Sequence, residues 1–330
     1  MSNARKLADN LPTVGQLGNR NLIINGAMEV AQRGTSSTSY GYVSLDRWYV
    51  NQSGGSTTFS QETNSNPSET GGLQKYARLN VSSSSDYTGI FQRIEDVTSV
   101  PEGTVTISFY AKGTAPTGGV KVWATQVFGS GGSSDVNIAE QVIASSLTSS
   151  WVRYTLNMTV PSVDGKTIGA NSNFLISIGQ GTDTASTAYD LNITGIQLEV
   201  GSQSTPFEHE LYDTTIRKCG RYYQRITADA GFDYGAIGIA VGTSSAWYVP
   251  LPLKYGDMRV DPTLSYSAVG NFRITLQHSS SSTCTSLGIG YNHTDRPMLS
   301  VQAGSNSAGS LRLFGFSGAS SGWIAFDAEL

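Results

Sequence analysis

Between 57 and 200 the chain alternates apolar with polar residues in short runs, and Gly, Ser, Asn or Asp closes most of them. Alternation at period two predicts strands with one buried face. The runs fall at 57–62, 74–81, 88–95, 104–112, 120–128, 151–160 and 173–179, preceded by two more at 21–33 and 44–51. Within 21–33, Asn25-Gly26 predicts a turn or bulge. The run 189–200 buries Leu191, Ile193, Ile196, Leu198 and Val200, with one slip at Gly195 that predicts a β-bulge. About ten short strands at such spacing predict a two-sheet sandwich or jelly roll.

From 208 the period changes. Tyr212, Ile216, Cys219, Tyr223 and Ile226 recur at intervals of four, three, four and three. That seam predicts a helix of about four turns, with Arg217, Lys218, Arg221 and Arg225 off it. Alternation then returns at 234–241, 247–253, 259–266, 271–277, 286–291, 298–302, 310–316 and 322–330. Pro250 and Pro252 put the second of these at an edge or a bulge. The expected fold is all-β: a jelly-roll β-sandwich at 21–207, a short connecting helix at 208–226, and a second, C-terminal antiparallel β-sandwich at 227–330. Residues 1–20 are polar and broken by Pro12, Gly15 and Gly18. They read either as a loose terminus with a helical turn at 4–10, or as an arm that orders against another subunit.

Composition supports this picture. Charged residues make up only 14 % of the 330, while glycine alone counts 37. Turns and sheet surfaces accept such a chain more readily than helices do. A net charge of −4 offers no basic face to phosphates, so nucleic acid is not an expected partner. No apolar run reaches about 18 residues, and no basic start precedes an apolar core. Membrane insertion and secretion through a leader are therefore not expected. Cys219 and Cys284 fall in different expected domains, which predicts free thiols in a reducing cytoplasm.

Catalytic motifs are missing from the sequence. It has no G-x-S-x-G elbow, no H-E-x-x-H, no glycine-rich phosphate loop and no Cys/His metal spacing. His209, His278 and His293 are scattered. The expectation is a protein that is not an enzyme, although a glycosidase needs only two converging acids.

Three stretches taken together resemble phage virion fibre and receptor-binding proteins. They are Asn21-Leu22-Ile23-Ile24-Asn25-Gly26-Ala27-Met28-Glu29, then Asp46-Arg47-Trp48, then Gln197-Leu198-Glu199-Val200-Gly201 running into Thr205-Pro206-Phe207-Glu208. Cys219 and Arg221-Tyr222-Tyr223-Gln224-Arg225 follow them. The resemblance covers residues 20–226 and implies a jelly roll like that of carbohydrate-binding modules. It also implies a homotrimer in the virion tail, assembled in the host cytoplasm. The arm at 1–20 would attach to another virion protein, a tail adaptor or nozzle, and 227–330 would form the receptor-binding tip. The implied function is a short tail fibre that attaches the particle to a host surface polysaccharide. A capsid decoration or tail adaptor of purely structural role is one alternative, and a glycan depolymerase is the other.

Candidate sites follow. Glu29 and Asp190 stand where the resemblance places a structural calcium, the only cofactor in view; otherwise they are solvated acids at strand ends. The seam Tyr212, Ile216, Cys219, Tyr223 and Ile226 would line the trimer interface, or would lie on its own sandwich. Asp46, Arg47 and Trp48 form a ligand patch, or else Trp48 packs inside and Arg47 pairs with a carboxylate or a row of carbonyls. Tyr291, Asn292, His293, Asp295 and Arg296 combine a flat ring with donors and acceptors. Sugars are recognised by such mixtures, so this loop is the candidate glycan site, against an ordinary exposed turn.

Overall fold

The computed structural model describes residues 20–83, 87–181, 187–228, 236–277, 280–304, 308–317 and 322–330. The expected arm, apart from its last residue, and His278 lie outside the described residues. The chain forms two compact units, the first running to Tyr212 and the second covering Asp213–Glu329.

The first unit is a jelly-roll sandwich of two antiparallel sheets. One sheet orders β1 (Ser36–Ser37), β3 (Ser56–Thr63), β4 (Lys75–Ser83), β11 (Tyr189–Val200), β6 (Gly103–Thr114) and β9 (Val152–Val160). The other orders β2 (Tyr49–Ser53), β5 (Tyr87–Glu95), β10 (Asn173–Gly179), β7 (Val120–Val127) and β8 (Val136–Ala144). Successive side chains on a strand point to opposite faces. Phe59, Leu79, Leu191, Ile193 and Phe109 of the first sheet accordingly bury against Ile90, Phe174, Ile176, Ile178 and Val122 of the second. The bulge expected in β11 is present: its register against β6 shifts between Thr194 and Gln197, and Gly195 sits at φ 62°.

Residues 21–33 are not a strand. Asn25 and Met28 take φ of 59° and 60°, which no ladder tolerates, and a hydrogen-bonded turn replaces the expected element.

The helix is shorter than its seam. It spans Tyr212–Gly220 (α1), and Tyr223–Thr227 is already strand β12, paired with β21 (Trp323–Asp327). Gly220 closes the helix where a Cβ would stand 2.4 Å from the Tyr255 Cβ. Tyr223 and Ile226 therefore belong to a strand and not to the helical face.

In the second unit β12 and β15 (Thr263–Tyr266) flank β21 in a three-stranded sheet. A seven-stranded sheet orders β17 (Ser280–Thr283), β16 (Phe272–Gln277), β20 (Leu311–Phe316), β13 (Ala236–Gly242), β14 (Trp247–Pro250), β19 (Met298–Gln302) and β18 (Ser286–Tyr291). Phe272, Phe314, Phe316, Trp247, Ile324 and Phe326 pack the core between them. Among the described residues no helix is long and apolar enough to cross a membrane.

Cys219 and Cys284 are both buried, and neither forms a disulfide among the described residues. Burial pushes the Cys284 thiol up to about 12, which leaves it protonated and unreactive at neutral pH. Maleimide should label neither thiol in the native protein and both in urea. Rapid native labelling would show that these cores open.

Candidate functional site

The stretches that carry the sequence resemblance turn out to hold the first sandwich together. The Asn25 amide donates to the carbonyls of Val30 (2.9 Å) and Asp46 (3.0 Å), and its oxygen accepts from Val30 N (3.0 Å). The Trp48 indole N–H donates to the Asn25 carbonyl at 3.1 Å. Asp46 accepts from the backbone and the side chain of Gln32, at 2.8 and 2.6 Å. Arg47 is buried and donates to the Arg93 carbonyl. Asn21 splices the turn to β11, donating to Ile196 O and accepting from Leu198 N, each at 3.0 Å. Gln197 and Glu199 hold Thr205, and Glu208 reaches back to Asn21 N at 2.8 Å. Asp46, Arg47 and Trp48 thus act inside the fold and form no ligand patch.

Of the two candidate calcium ligands, Asp190 is engaged by a guanidinium. Both Asp190 oxygens accept from Arg78, across 2.6 to 3.1 Å. Burial raises the Glu29 carboxyl above its ordinary value, and the charged neighbour that opposes this rise is His209. Among the described residues no group of three or more His, Cys, Asp or Glu side chains gathers for a metal. Calcium in place of a chelator should leave the melting temperature unchanged; a clear rise would restore the pair as ligands.

The seam does not present an apolar edge to a partner. Ile216, Cys219 and Tyr223 are only 7, 0 and 6 % exposed within the single chain, whereas Tyr212 is 50 % exposed. Ile226 is partly buried and packs against the second core. The reason is the early helix stop, which sends Tyr223 and Ile226 into β12 beside β21.

The loop between β18 and β19 keeps its expected residues together. Tyr291 is 60 % exposed, and its ring centroid lies 5.9 Å from that of Tyr248. Asn292 spends an amide N–H on the Pro262 carbonyl (2.9 Å), and His293 is exposed. Asp295 and Arg296 pair with each other at 2.8 Å, which lowers the Asp295 carboxyl and raises the Arg296 guanidinium. Backbone bonds from Met258, Leu253 and Leu251 to Thr294, Asp295 and Pro297 pin the loop. Its two charged side chains are thus largely used on one another.

A larger aromatic cluster, not anticipated from the sequence, lies on the outer face of the five-stranded sheet, where Tyr49 and Trp123 are partly exposed and Phe91 is buried beside Tyr49. Tyr49, Phe91, Ser177 and Trp123 are cross-strand neighbours in one row over β2, β5, β10 and β7. The Tyr49 and Phe91 rings stack at 4.4 Å, and Tyr42 meets Tyr49 edge-on at 5.1 Å. Arg93 lies over Phe91 at 5.4 Å. Tyr87 meets Trp123 edge-on at 5.7 Å. The next row reads Asn51, Gly89, Gly179 and Lys121. Its two glycines leave a floor without side chains, and Trp123 leans over that floor: a Cβ on Gly89 would stand 3.3 Å from the indole. Lys121 and Glu140 close one end as an ion pair at 3.1 Å.

Polar groups lie between these rings. Burial pushes the Tyr87 hydroxyl up to about 12 although a hydrogen bond with Asn51 opposes it, so it stays protonated and able to donate. The Ser177 hydroxyl is buried and makes no hydrogen bond among the described residues. A legible signal was there, since Tyr49, Phe91 and Trp123 occupy the outward phase of their strands, where alternation calls for polar residues.

No family model matches the chain, and no curated protein matches it. Solved structures resemble part of it. A Bacteroides thetaiotaomicron protein provisionally described as sugar-binding matches 54 % of this chain and 99 % of its own, at 13 % identity and a TM-score of 0.38. A xylan-binding domain from Paenibacillus barcinonensis matches 56 % and 96 %, at 14 % identity and a TM-score of 0.32. The enzymatically active domain of tailspike protein 4 from bacteriophage CBA120 matches 55 % of this chain and 21 % of its own, at 12 % identity and a TM-score of 0.31. What this chain binds is a question for its own residues.

Proposed function

We propose that the protein is a glycan-binding component of a phage virion, a short tail fibre that attaches the particle to host surface polysaccharide through the outer face of the five-stranded sheet. One observation carries the reading: the partly exposed rings of Tyr49 and Trp123 share one row on rigid strands, with buried Phe91 backing Tyr49. Flat apolar rings beside fixed polar groups match a pyranose, whose C–H face stacks while its hydroxyls need partners. Asn51, Tyr87, Arg93 and the Lys121–Glu140 pair supply those partners along the row. The sequence resemblance supports the virion setting and a homotrimer. Three weak sites on one body would hold a repetitive surface by avidity. In the second unit, Tyr248 and Tyr291 offer a smaller platform for the same kind of contact.

The test is adsorption. Purified protein should compete with phage for host cells and bind extracted surface polysaccharide without releasing reducing ends. Failure to bind would sink the reading, and release of reducing ends would turn it into a depolymerase. Mass in solution tests the trimer, and a stable monomer would remove the avidity.

A further inference from the structure

On the solvent face of the six-stranded sheet lies a groove of about 500 Å³, lined wholly by polar and charged side chains. It is built from cross-strand pairs: Thr58 faces Asn80, Ser60 faces Arg78, and Ser36 of β1 faces Ser60. Arg78 is held in plane by Asp190, which takes its Nε and Nη2 protons. Its Nη1 makes no hydrogen bond among the described residues and stays available. Glu62 accepts from the Ser60 hydroxyl on one oxygen at 2.7 Å and keeps the other. Thr58 and Asn80 spend no side-chain hydrogen bond among the described residues.

The groove therefore presents a guanidinium edge, an amide, a hydroxyl and a carboxylate oxygen, all with unused capacity and all fixed on paired strands. No aromatic ring and no wholly apolar side chain lines it. A ligand that suits it must carry many groups that both donate and accept, and hydroxyls do so. Two carboxylates, Glu62 and Asp190, face one guanidinium, so the local balance is negative and disfavours an anion. We propose that this groove is a second saccharide site, selective for neutral sugars with vicinal hydroxyls over uronic acids. It does not depend on the aromatic face, which belongs to the other sheet of the same sandwich.

The experiment uses the full chain, with Trp123→Ala as the background that removes the aromatic platform. Maltotriose, cellotriose and mannotriose are titrated by ligand-observed saturation-transfer NMR, beside trigalacturonate. At least one neutral trisaccharide should still bind the Trp123→Ala protein, and adding Asn80→Ala with Thr58→Val should weaken it about tenfold. Trigalacturonate should bind more weakly than the neutral sugar. Neither Asn80 nor Thr58 holds another side chain, so both variants should fold, as a melting curve checks. Loss of all binding in Trp123→Ala alone would overturn the groove and leave the aromatic site standing. Binding that survives Trp123→Ala and falls with Asn80→Ala would assign the sugar to the groove. Binding indifferent to Asn80→Ala, or tighter for trigalacturonate, would also overturn the proposal.

Discussion

Trp48→Ala should cost the first sandwich about 3–5 kcal/mol, read as a fall in the urea midpoint. Trp48 is fully buried in the core that both sheets share, so truncation opens a cavity that rigid strands close poorly. The indole N–H also leaves, and with it the partner of the Asn25 carbonyl. That carbonyl belongs to a residue at φ 59° whose side chain already holds Val30 and Asp46. An orphaned acceptor there adds about 1–3 kcal/mol. Trp48→Phe separates the two effects, because it keeps most of the volume and loses the N–H. It should fall between wild type and Trp48→Ala. A loss below about 1 kcal/mol for Trp48→Ala, within the range of ordinary surface changes, would mean that this corner is not packed as described.

Trp123→Ala should do the opposite: little to stability and much to binding. The side chain points out of β7 while Val122 and Ala124 point into the core, so its removal leaves the sandwich closed. On the outer face it is the largest ring, and it leans over the glycine floor. An aromatic anchor of this kind is worth about 2 kcal/mol or more when truncated, a loss of roughly 30-fold in affinity for the polysaccharide. Trp123→Phe should recover part of it. Unchanged binding together with an unchanged melting curve would move the glycan site elsewhere, to the groove or to the loop that holds Tyr291.

Much of the first sandwich was legible because its strands alternate cleanly. The runs at 57–62, 88–95 and 104–112 sit inside β3, β5 and β6, the run at 74–81 starts one residue before β4, and Gly195 marks the bulge. Three of the features that escaped have a physical reason. β17 reads SSST and offers no apolar signal at all. Tyr223 and Ile226 continue a helical interval beyond Gly220, where the helix stops, so spacing alone predicts too long a helix. The turn at Asn25 has the periodicity of a strand, and side-chain bonds, invisible to periodicity, take the place of the ladder there.

The binding surface was harder to see. Tyr49, Phe91 and Trp123 become neighbours only once β2, β5, β10 and β7 are in register, and no local pattern announces that. The loop at 291–296 is visible because its residues are contiguous in sequence, yet its two charged side chains are spent on each other. Contiguity made the smaller site conspicuous and left the larger one hidden.

The pairing of β12 with β21 bears on biosynthesis. The first strand after the helix borders the last strand of the chain, and that last strand is the middle one of its sheet. Contacts so distant along the chain form slowly. During translation the jelly roll can finish early, while Tyr223–Thr227 must wait about a hundred residues for the neighbour that covers it. A ribosome that stalls before β21 emerges would release a chain with one sound half and one half that chaperones must hold.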